Sequence, residues 1–283
     1  MKTTAKAKIN LFLRVVRKRK DGYHEIETIF LPLDNPSDTV ILTGSKNGKL
    51  EVTCSEPTLS GPDNLCYKAA EAFAKLAKVK AAWNIHVTKR IPVAAGLGGG
   101  SSDAAATLRL LQKKYPGKIS EMDILHLASK IGADVPFFLN PVPSVANGIG
   151  ENLKPLPIKR TIPIAVVFPR FPVSARWAYQ NRIKSDSKVS LNNALSALKR
   201  NDPKKLAPLL RNDLAPALWR KFPFLHMLRR EMLKAGALGV EVSGSGSSLF
   251  AIAKSAKSAE RISTAIGKKF DDSVSSFAAI AGA

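Results

Sequence analysis

PVAAGLGGGSSDAAA, residues 92–106, sets four glycines within five positions just ahead of two serines. Gly96, Gly98, Gly99 and Gly100 remove side chains where something must approach the backbone closely. Ser101 and Ser102 then open a helix on which Ala104, Leu108 and Leu111 share a face, so backbone N–H groups and the positive end of the helix dipole converge. That makes an anion cradle, and phosphate is its usual occupant. The stretch is not a Walker loop, because the required Lys is absent, and it does not follow the GxGxxG dinucleotide pattern. On residues alone a flexible strand-to-helix turn capped by serine is the plainer alternative.

Working outward, AKINLFLRVV alternates with a period of two, which predicts a strand with Ile9, Leu11 and Leu13 on one face. ETIFLPL predicts a second strand, and DTVILTG and KLEVTCS two short ones separated by turn residues. Residues 64–78 predict an amphipathic helix burying Leu65, Ala69, Ala72, Phe73 and Leu76, with Asp63 or Asn64 as its cap. WNIHVTKRI reads as the strand leading into the glycine loop. Beyond it, Ser120 and Asp123 form a box-like start to a helix that buries Ile124, Leu127, Ala128 and Ile131 and stops at Gly132.

Seven prolines between residues 140 and 172 interrupt any helix, so the domain boundary is expected near residue 157. The second part opens on the strand TIPIAVVF and is mostly helical afterwards, with Asp202-Pro203 as an N-cap followed by proline. It returns to a strand at GVEV, a loop at SGSGSS (residues 243–248), a strand at LFAIA and a closing helix around AERISTAIGKKF. The SGSGSS loop reads as a tight turn, or as a place where small residues let two backbones meet or wrap a phosphate. There is no internal repeat and no low-complexity tract.

Two hundred eighty-three residues predict about two domains, and 45% hydrophobic residues supply a sizeable core. With 23% charged residues and mean hydropathy near zero, disorder is not expected. Lys and Arg number 44 against 22 Asp and Glu, a net charge of +22. Such a charge attracts nucleic acid, acidic membrane faces or phosphorylated small molecules, and its sign does not choose among them. Cys54 and Cys66 are too few for a disulfide scaffold and lack CxxC spacing. The basic N-terminus has an apolar stretch cut by Arg14 and no small-residue cleavage site, and no run of eighteen apolar residues occurs, so a cytoplasmic protein without a membrane span is expected.

Three further groups stand out: Lys8 and Asn10 in AKIN, Tyr23 and His24 in DGYHE, and Asp134 in GADVPFF. Asp134 follows a helix end among apolar residues, where a carboxylate must be paired or used. Lys8, in an otherwise apolar strand, faces the same demand, and the two could satisfy each other as an ion pair. By residues alone a surface Lys, a turn Asp and a solvated turn His remain open.

Together these motifs resemble the GHMP kinase superfamily, and within it the kinases that phosphorylate 4-diphosphocytidyl-2-C-methyl-D-erythritol. PVAAGLGGGSSDAA and VSGSGSSLFA carry the superfamily; AKIN, DGYHE, GADVP and VANGIGENLKPL carry the narrower likeness, which runs from Lys6 to the end. The resemblance implies an α+β, two-domain fold: a ribosomal-protein-like ATP-binding domain over residues 1–157, an α/β domain over 158–283, and the active site in the cleft between them. It implies transfer of the γ-phosphate of ATP, with Mg2+, to the substrate's 2-hydroxyl in non-mevalonate isoprenoid (terpenoid) biosynthesis.

Lys8 and Asp134 match the family's catalytic pair, with Asp134 accepting the hydroxyl proton and Lys8 holding it ionised and offsetting phosphoryl charge. Pro92, Val93, Ala94, Ala95, Gly96, Leu97, Gly98, Gly99, Gly100, Ser101 and Ser102 match the ATP-phosphate loop, and Asn64 an adenine contact. Tyr23, His24 and Tyr179 match positions that hold the cytosine ring, with Trp177 competing for the place of Tyr179; Asn10 matches a contact to the polyol or phosphate end. Ser174-Ala175 stands where the family often has a Ser-Thr pair. No residue is assigned to the metal. The implied partner is the small-molecule substrate, for a monomer or weak homodimer with no nucleic acid and no membrane. A related kinase with another alcohol acceptor, and a non-catalytic basic nucleic-acid-binding protein, are the alternatives.

Overall fold

The computed structural model describes residues 1–158, 161–200 and 202–282. By internal contacts the chain forms two compact units that interleave along the sequence. The first holds Met1–Ala7, Ser37–Ile91 and Gly98–Pro141; the second holds Lys8–Pro36, Pro92–Leu97 and Val142–Ala283. Residues 142–157 therefore group with the later part of the chain, and each of the first two strands contributes to both units.

In the first unit, Glu51–Cys54 lies parallel to Trp83–Thr88, with Val52 opposite Ile85. The helix Leu65–Ala77 makes the crossover that a parallel pair requires. Trp83–Thr88 also pairs antiparallel with residues 39–44 of the strand His24–Gly44. The N-terminus of the helix Leu65–Ala77 is capped by Asn64, whose Oδ1 accepts the Cys66 N–H at 2.8 Å. Its buried face runs through Cys66, Ala69, Ala70, Phe73, Ala74 and Ala77. Leu76, expected inside, is 45% exposed, because the small residues Ala70 and Ala74 take the inner face and let the helix lie close to the helix Gly99–Lys114. That second helix buries Ala104, Leu108 and Leu111. Full burial of each leucine and of Phe73 stabilises by about 1.5–3 kcal/mol. Ser120 caps Glu121–Ile131 as expected, accepting the Asp123 N–H at 3.1 Å.

In the second unit four antiparallel strands run in the order Ser275–Ala281, Ile162–Phe168, Leu249–Ile252, Gly239–Val242. Val166 sits between Phe250 and Phe277 in that register. Val167, Leu249, Ala251 and Val240 join Leu225, Leu228 and Met232 of Pro223–Lys234, and Ile262 and Ile266 of Ala256–Phe270, in one apolar cluster. Ile164, Val166, Phe250 and Ile252 are buried as well. The strand Ser275–Ala281 was not expected from the sequence; its Ser-Ser-Phe-Ala-Ala wording lacks the β-branched residues that signal a strand.

The opening strand, Lys2–Lys18, differs from its alternating pattern. From Ala7 to Leu13 every residue is buried, Lys8, Asn10 and Phe12 as fully as Ile9 and Leu11. Two polar side chains are thus held inside. ETIFLPL and DTVILTG, read as separate strands, are one strand, His24–Gly44, that continues through Asp34 to Asp38. No helix among the described residues is long and apolar enough to cross a membrane.

Candidate active site

The buried amine of Lys8 donates to Asn10 Oδ1 at 2.6 Å and lies 5.2 Å from the centroid of the Phe30 ring. Asn10 Nδ2 donates to Thr28 Oγ1 at 2.9 Å, and Thr28 in turn donates to the Phe12 carbonyl at 2.7 Å. An amide carbonyl bound to the ammonium and an amide N–H bound to the hydroxyl fix which way Asn10 faces. The chain Lys8–Asn10–Thr28 therefore holds one cation at a set place on the strand.

Both glycine-rich loops close on this stretch of the strand. The Lys8 N–H donates to the Leu97 carbonyl at 3.0 Å, Ser243 Oγ donates to the Gly96 carbonyl at 3.0 Å, and the Ser248 N–H reaches the Ala95 carbonyl at 3.1 Å. A Cβ on Gly96 (φ +78°) would lie 2.0 Å from the Ser243 carbonyl oxygen. A Cβ on Gly244 (φ +54°) would lie 3.1 Å from Asn10 Oδ1 and 3.4 Å from Lys8 Nζ. Glycine is required at both positions by φ and by space together. The loop at residues 243–248 is thus a tight turn, its Gly246 N–H donating to the Ser243 carbonyl at 2.9 Å, and also a meeting of two backbones. Asn212 Nδ2 ties it down by donating to the Val242 and Gly244 carbonyls, each at 2.8 Å.

The rest of the first glycine loop passes into the other unit. Gly98 (φ +75°) precedes the helix Gly99–Lys114, and the Ser102 N–H returns to the Gly98 carbonyl at 2.9 Å. Ser102 Oγ is buried and has no hydrogen-bond partner among the described residues. A hydroxyl left so in the first turn of a helix, beside free N–H groups, suits an anion or the cation that accompanies one. Gly100 lies against Leu65, the first residue of the helix that Asn64 caps. Asn64 Nδ2 donates to the Leu59 carbonyl at 2.7 Å, so much of this side chain serves its own turn.

The aromatic residues separate cleanly. His24 stacks on Tyr179, centroids 5.2 Å apart and planes 22° from parallel. Tyr23 beside it is 60% exposed, with its backbone N–H held by Asp21. Trp177 instead packs edge-on against Phe222 and under Lys221. The pKa of His24 is lowered, first by burial and then by Arg182 and Lys18, so the ring is neutral at pH 7 and keeps one donor and one acceptor. Asp134 is half-buried at the N-terminal end of the short helix Val135–Leu139, in the first unit; Lys8 belongs to the second.

The "GHMP kinases N terminal domain" family matches residues 64–140 and the "GHMP kinases C terminal" family residues 194–272. A 4-diphosphocytidyl-2-C-methyl-D-erythritol kinase of Pelodictyon phaeoclathratiforme is 39% identical over 250 residues, covering 87% of this chain and 86% of that one. The chain belongs to the 4-diphosphocytidyl-2-C-methyl-D-erythritol kinase family of the GHMP kinases. A relative of the same name from Chlorobium phaeobacteroides is 38% identical, covering 90% of this chain and 89% of its own. A crystal structure of 4-(cytidine 5'-diphospho)-2C-methyl-D-erythritol kinase superposes with a TM-score of 0.84 at 35% identity and full coverage of both chains.

Within this kinase family's pattern, several structural participants were not foreseen. Thr28, Asn212 and Ser243 hold the parts described above, and Lys89 with Asp38 and Asp103 form a buried ion cluster beside the loop. Thr28 and Asn212 carry no sequence signal, since their partners lie 16 to 32 residues away. Asp38 and Asp103 gave as little signal, since DNPSDT and GGGSSD place them among polar and small residues, where a carboxylate is ordinarily solvated.

Proposed function

We propose that the chain transfers the γ-phosphate of ATP to the 2-hydroxyl of 4-diphosphocytidyl-2-C-methyl-D-erythritol, giving the 2-phosphate and ADP. Relatives of that name match along most of the chain. The single observation that carries the acceptor is the His24–Tyr179 stack beside the exposed Tyr23. A flat base is the ligand such a surface suits, and mevalonate or homoserine offers none. Neutral His24 can both give and accept one hydrogen bond on a cytosine edge.

Phosphoryl transfer needs positioning and charge stabilisation more than covalent chemistry. In this reading residues 92–102 enclose the ATP phosphates through backbone N–H groups, and the orphan Ser102 hydroxyl is the side chain that fits their accompanying Mg2+. Bound Mg2+ would supply Lewis-acid stabilisation there, withdrawing charge from the phosphates. Lys8, fixed by Asn10, offsets charge on the phosphoryl group, and Asp134 takes the proton of the attacking hydroxyl. Tyr23 and Tyr179 cover the faces of the cytosine. Asn64 keeps one amide hydrogen for the adenine edge. Both polar ends of the Asn10 side chain are already occupied, which supports a role in placing Lys8 in preference to a substrate contact.

The same reading divides the chain into an ATP-binding part, residues 1–157, and a second part, 158–283; the two family matches fall on either side of that line. It places the enzyme in the cytoplasm as a monomer or weak homodimer. The test is ADP release with magnesium-ATP and a panel of diphosphocytidyl-methylerythritol, mevalonate, homoserine and galactose. Release with the cytidyl compound alone is expected. Release with another member of the panel would discard the acceptor, and silence would discard the reaction.

A further inference from the structure

The Lys89 side chain is 7% exposed and sits between the carboxylates of Asp38 and Asp103, themselves 0% and 5% exposed. Its amine donates to Asp38 Oδ2 and, at 2.6 Å, to Asp103 Oδ2. Asp38 Oδ1 accepts the backbone N–H groups of Arg90 and of Ile91, the residue just before the glycine loop. Asp103 is the residue just after the loop's last serine, and its Oδ1 is buried without a hydrogen-bond partner among the described residues, as is the neighbouring Ser102 Oγ. A Cβ on Gly99 would lie 3.1 Å from both Lys89 Nζ and Ile91 Cγ2. One ammonium thus ties the residues entering the loop to those leaving it.

Stability alone is a poor account of this cluster. Three buried charges cost desolvation that an apolar replacement of equal volume avoids. One cation against two carboxylates also leaves a negative charge inside. Burial works to lower Lys89, but Asp103 and then Asp38 outweigh it and keep the amine charged.

We propose that Lys89, Asp38 and Asp103 form a clamp that holds residues 92–102 in the shape that receives the ATP phosphates, so that nucleotide affinity depends on three residues that lie outside the loop itself. This rests on the reading of the loop as the ATP-phosphate loop. The three are positioning residues, and their loss acts on ATP while sparing the alcohol and the chemical step.

The test uses the full chain, with magnesium-ATP binding measured by calorimetry and steady-state kinetics measured by ADP release. Lys89→Met removes the tie, Asp103→Asn keeps shape and an acceptor while removing one charge, and Glu231→Gln breaks an ion cluster with Lys234 and Lys269 elsewhere as a control. Lys89→Met is expected to weaken ATP by at least about ten-fold in both Kd and KM, and Asp103→Asn by about three-fold or more, with kcat and the KM of the cytidyl substrate within about two-fold of wild type. Glu231→Gln should leave all of these unchanged. If Lys89→Met does not fold, Asp103→Asn decides. Wild-type ATP affinity in a folded variant, or equal loss for ATP and the alcohol, overturns the clamp. A wild-type chain that binds ATP but ignores the cytidyl compound defeats the proposed reaction while the Kd comparison still judges the clamp. A wild-type chain that does not bind ATP overturns both.

Discussion

Asn10→Ala separates two roles that one residue was open to. The substitution removes the 2.6 Å hydrogen bond that Lys8 Nζ donates and the 2.9 Å bond that reaches Thr28, both in a buried setting. A hydrogen bond to a charged group is worth about 1.5–3 kcal/mol, and a buried acceptor stripped of its donor costs further, so about 2–4 kcal/mol of stability is at stake. At roughly 2–4 °C per kcal/mol in a chain of this size, the melting temperature should fall by about 4–16 °C. The catalytic effect should be larger than the structural one. An ammonium displaced by about 1 Å from its working position loses on the order of 100-fold in rate. Kinetics at a temperature well below the variant's transition should therefore show kcat reduced by that factor, with the KM of ATP and of the cytidyl substrate within about three-fold of wild type. The reasoning fails if kcat holds and the KM of the cytidyl substrate rises ten-fold or more, for that is what removing a direct substrate contact does.

Other perturbations bear on the remaining parts of the site. Asp134→Asn and Lys8→Met should each abolish measurable ADP release while the circular dichroism spectrum stays that of wild type; wild-type turnover in either would remove that residue from the mechanism. Tyr23→Ala should raise the KM of the cytidyl substrate by about ten-fold or more and that of ATP hardly at all, since losing one stacked base costs about 1–3 kcal/mol. Gly96→Ala should lower the melting temperature and the activity together, because its methyl carbon would overlap the Ser243 carbonyl and neither side of the overlap is a flexible side chain. The pH dependence of unfolding has two opposed contributors. Glu231 is held down to about 2 by hydrogen bonds from Lys269 and Lys234, so its contribution is present above the ordinary glutamate pKa and is lost as pH falls toward 2. Glu241 is pushed up to about 7 by burial, only partly offset by the Val242 N–H and Arg229, so it penalises the folded state increasingly as pH rises from about 4.5 to 7. Glu241→Gln should flatten the loss on the neutral side in chemical denaturation, and Glu231→Gln the loss on the acid side.

What the sequence could reveal follows the distance over which each interaction acts. Caps and turns are local: Ser120 and Asp202 stand where their spacing put them, and of the two candidates Asp63 and Asn64 it is Asn64 that caps its helix. The glycine loop was legible because its demand for absent side chains is written in consecutive residues. Its partner loop was ambiguous, since the need for Gly244 arises from Lys8 and Asn10, more than 230 positions earlier. The faces of elements were less legible than their existence. Leu76 fits a helical stripe by spacing, yet the alanines beside it won the inner face because closeness between two helices outweighs one exposed leucine. Likewise an alternating pattern reads as one wet face, and only the buried partners of Lys8 and Asn10 show that both faces of that strand are covered.

The interleaving of the two units has a physical consequence for the loop. Pro92–Leu97 packs with Lys8 and the second glycine loop, whereas Gly98 onward packs with the helices of the first unit. Each segment has anchors of its own: the carbonyls of Ala95, Gly96 and Leu97 are held by Ser248, Ser243 and Lys8, and Asp38 and Lys89 hold residues 90, 91 and 103. Anchors of the first kind use backbone groups that any sequence possesses, so they ask only that glycine be kept where the backbones touch. Anchors of the second kind use buried charge, which is costly unless the geometry is exact enough to repay it, and which therefore confines the loop to one shape instead of a family of them. If that is what the charges do, a variant that swaps Asp38, Lys89 and Asp103 together for Asn, Met and Leu, keeping an acceptor for the Arg90 and Ile91 N–H groups, should melt no lower than wild type and still bind magnesium-ATP more weakly. Equal affinity in that triple variant would show that packing alone shapes the loop.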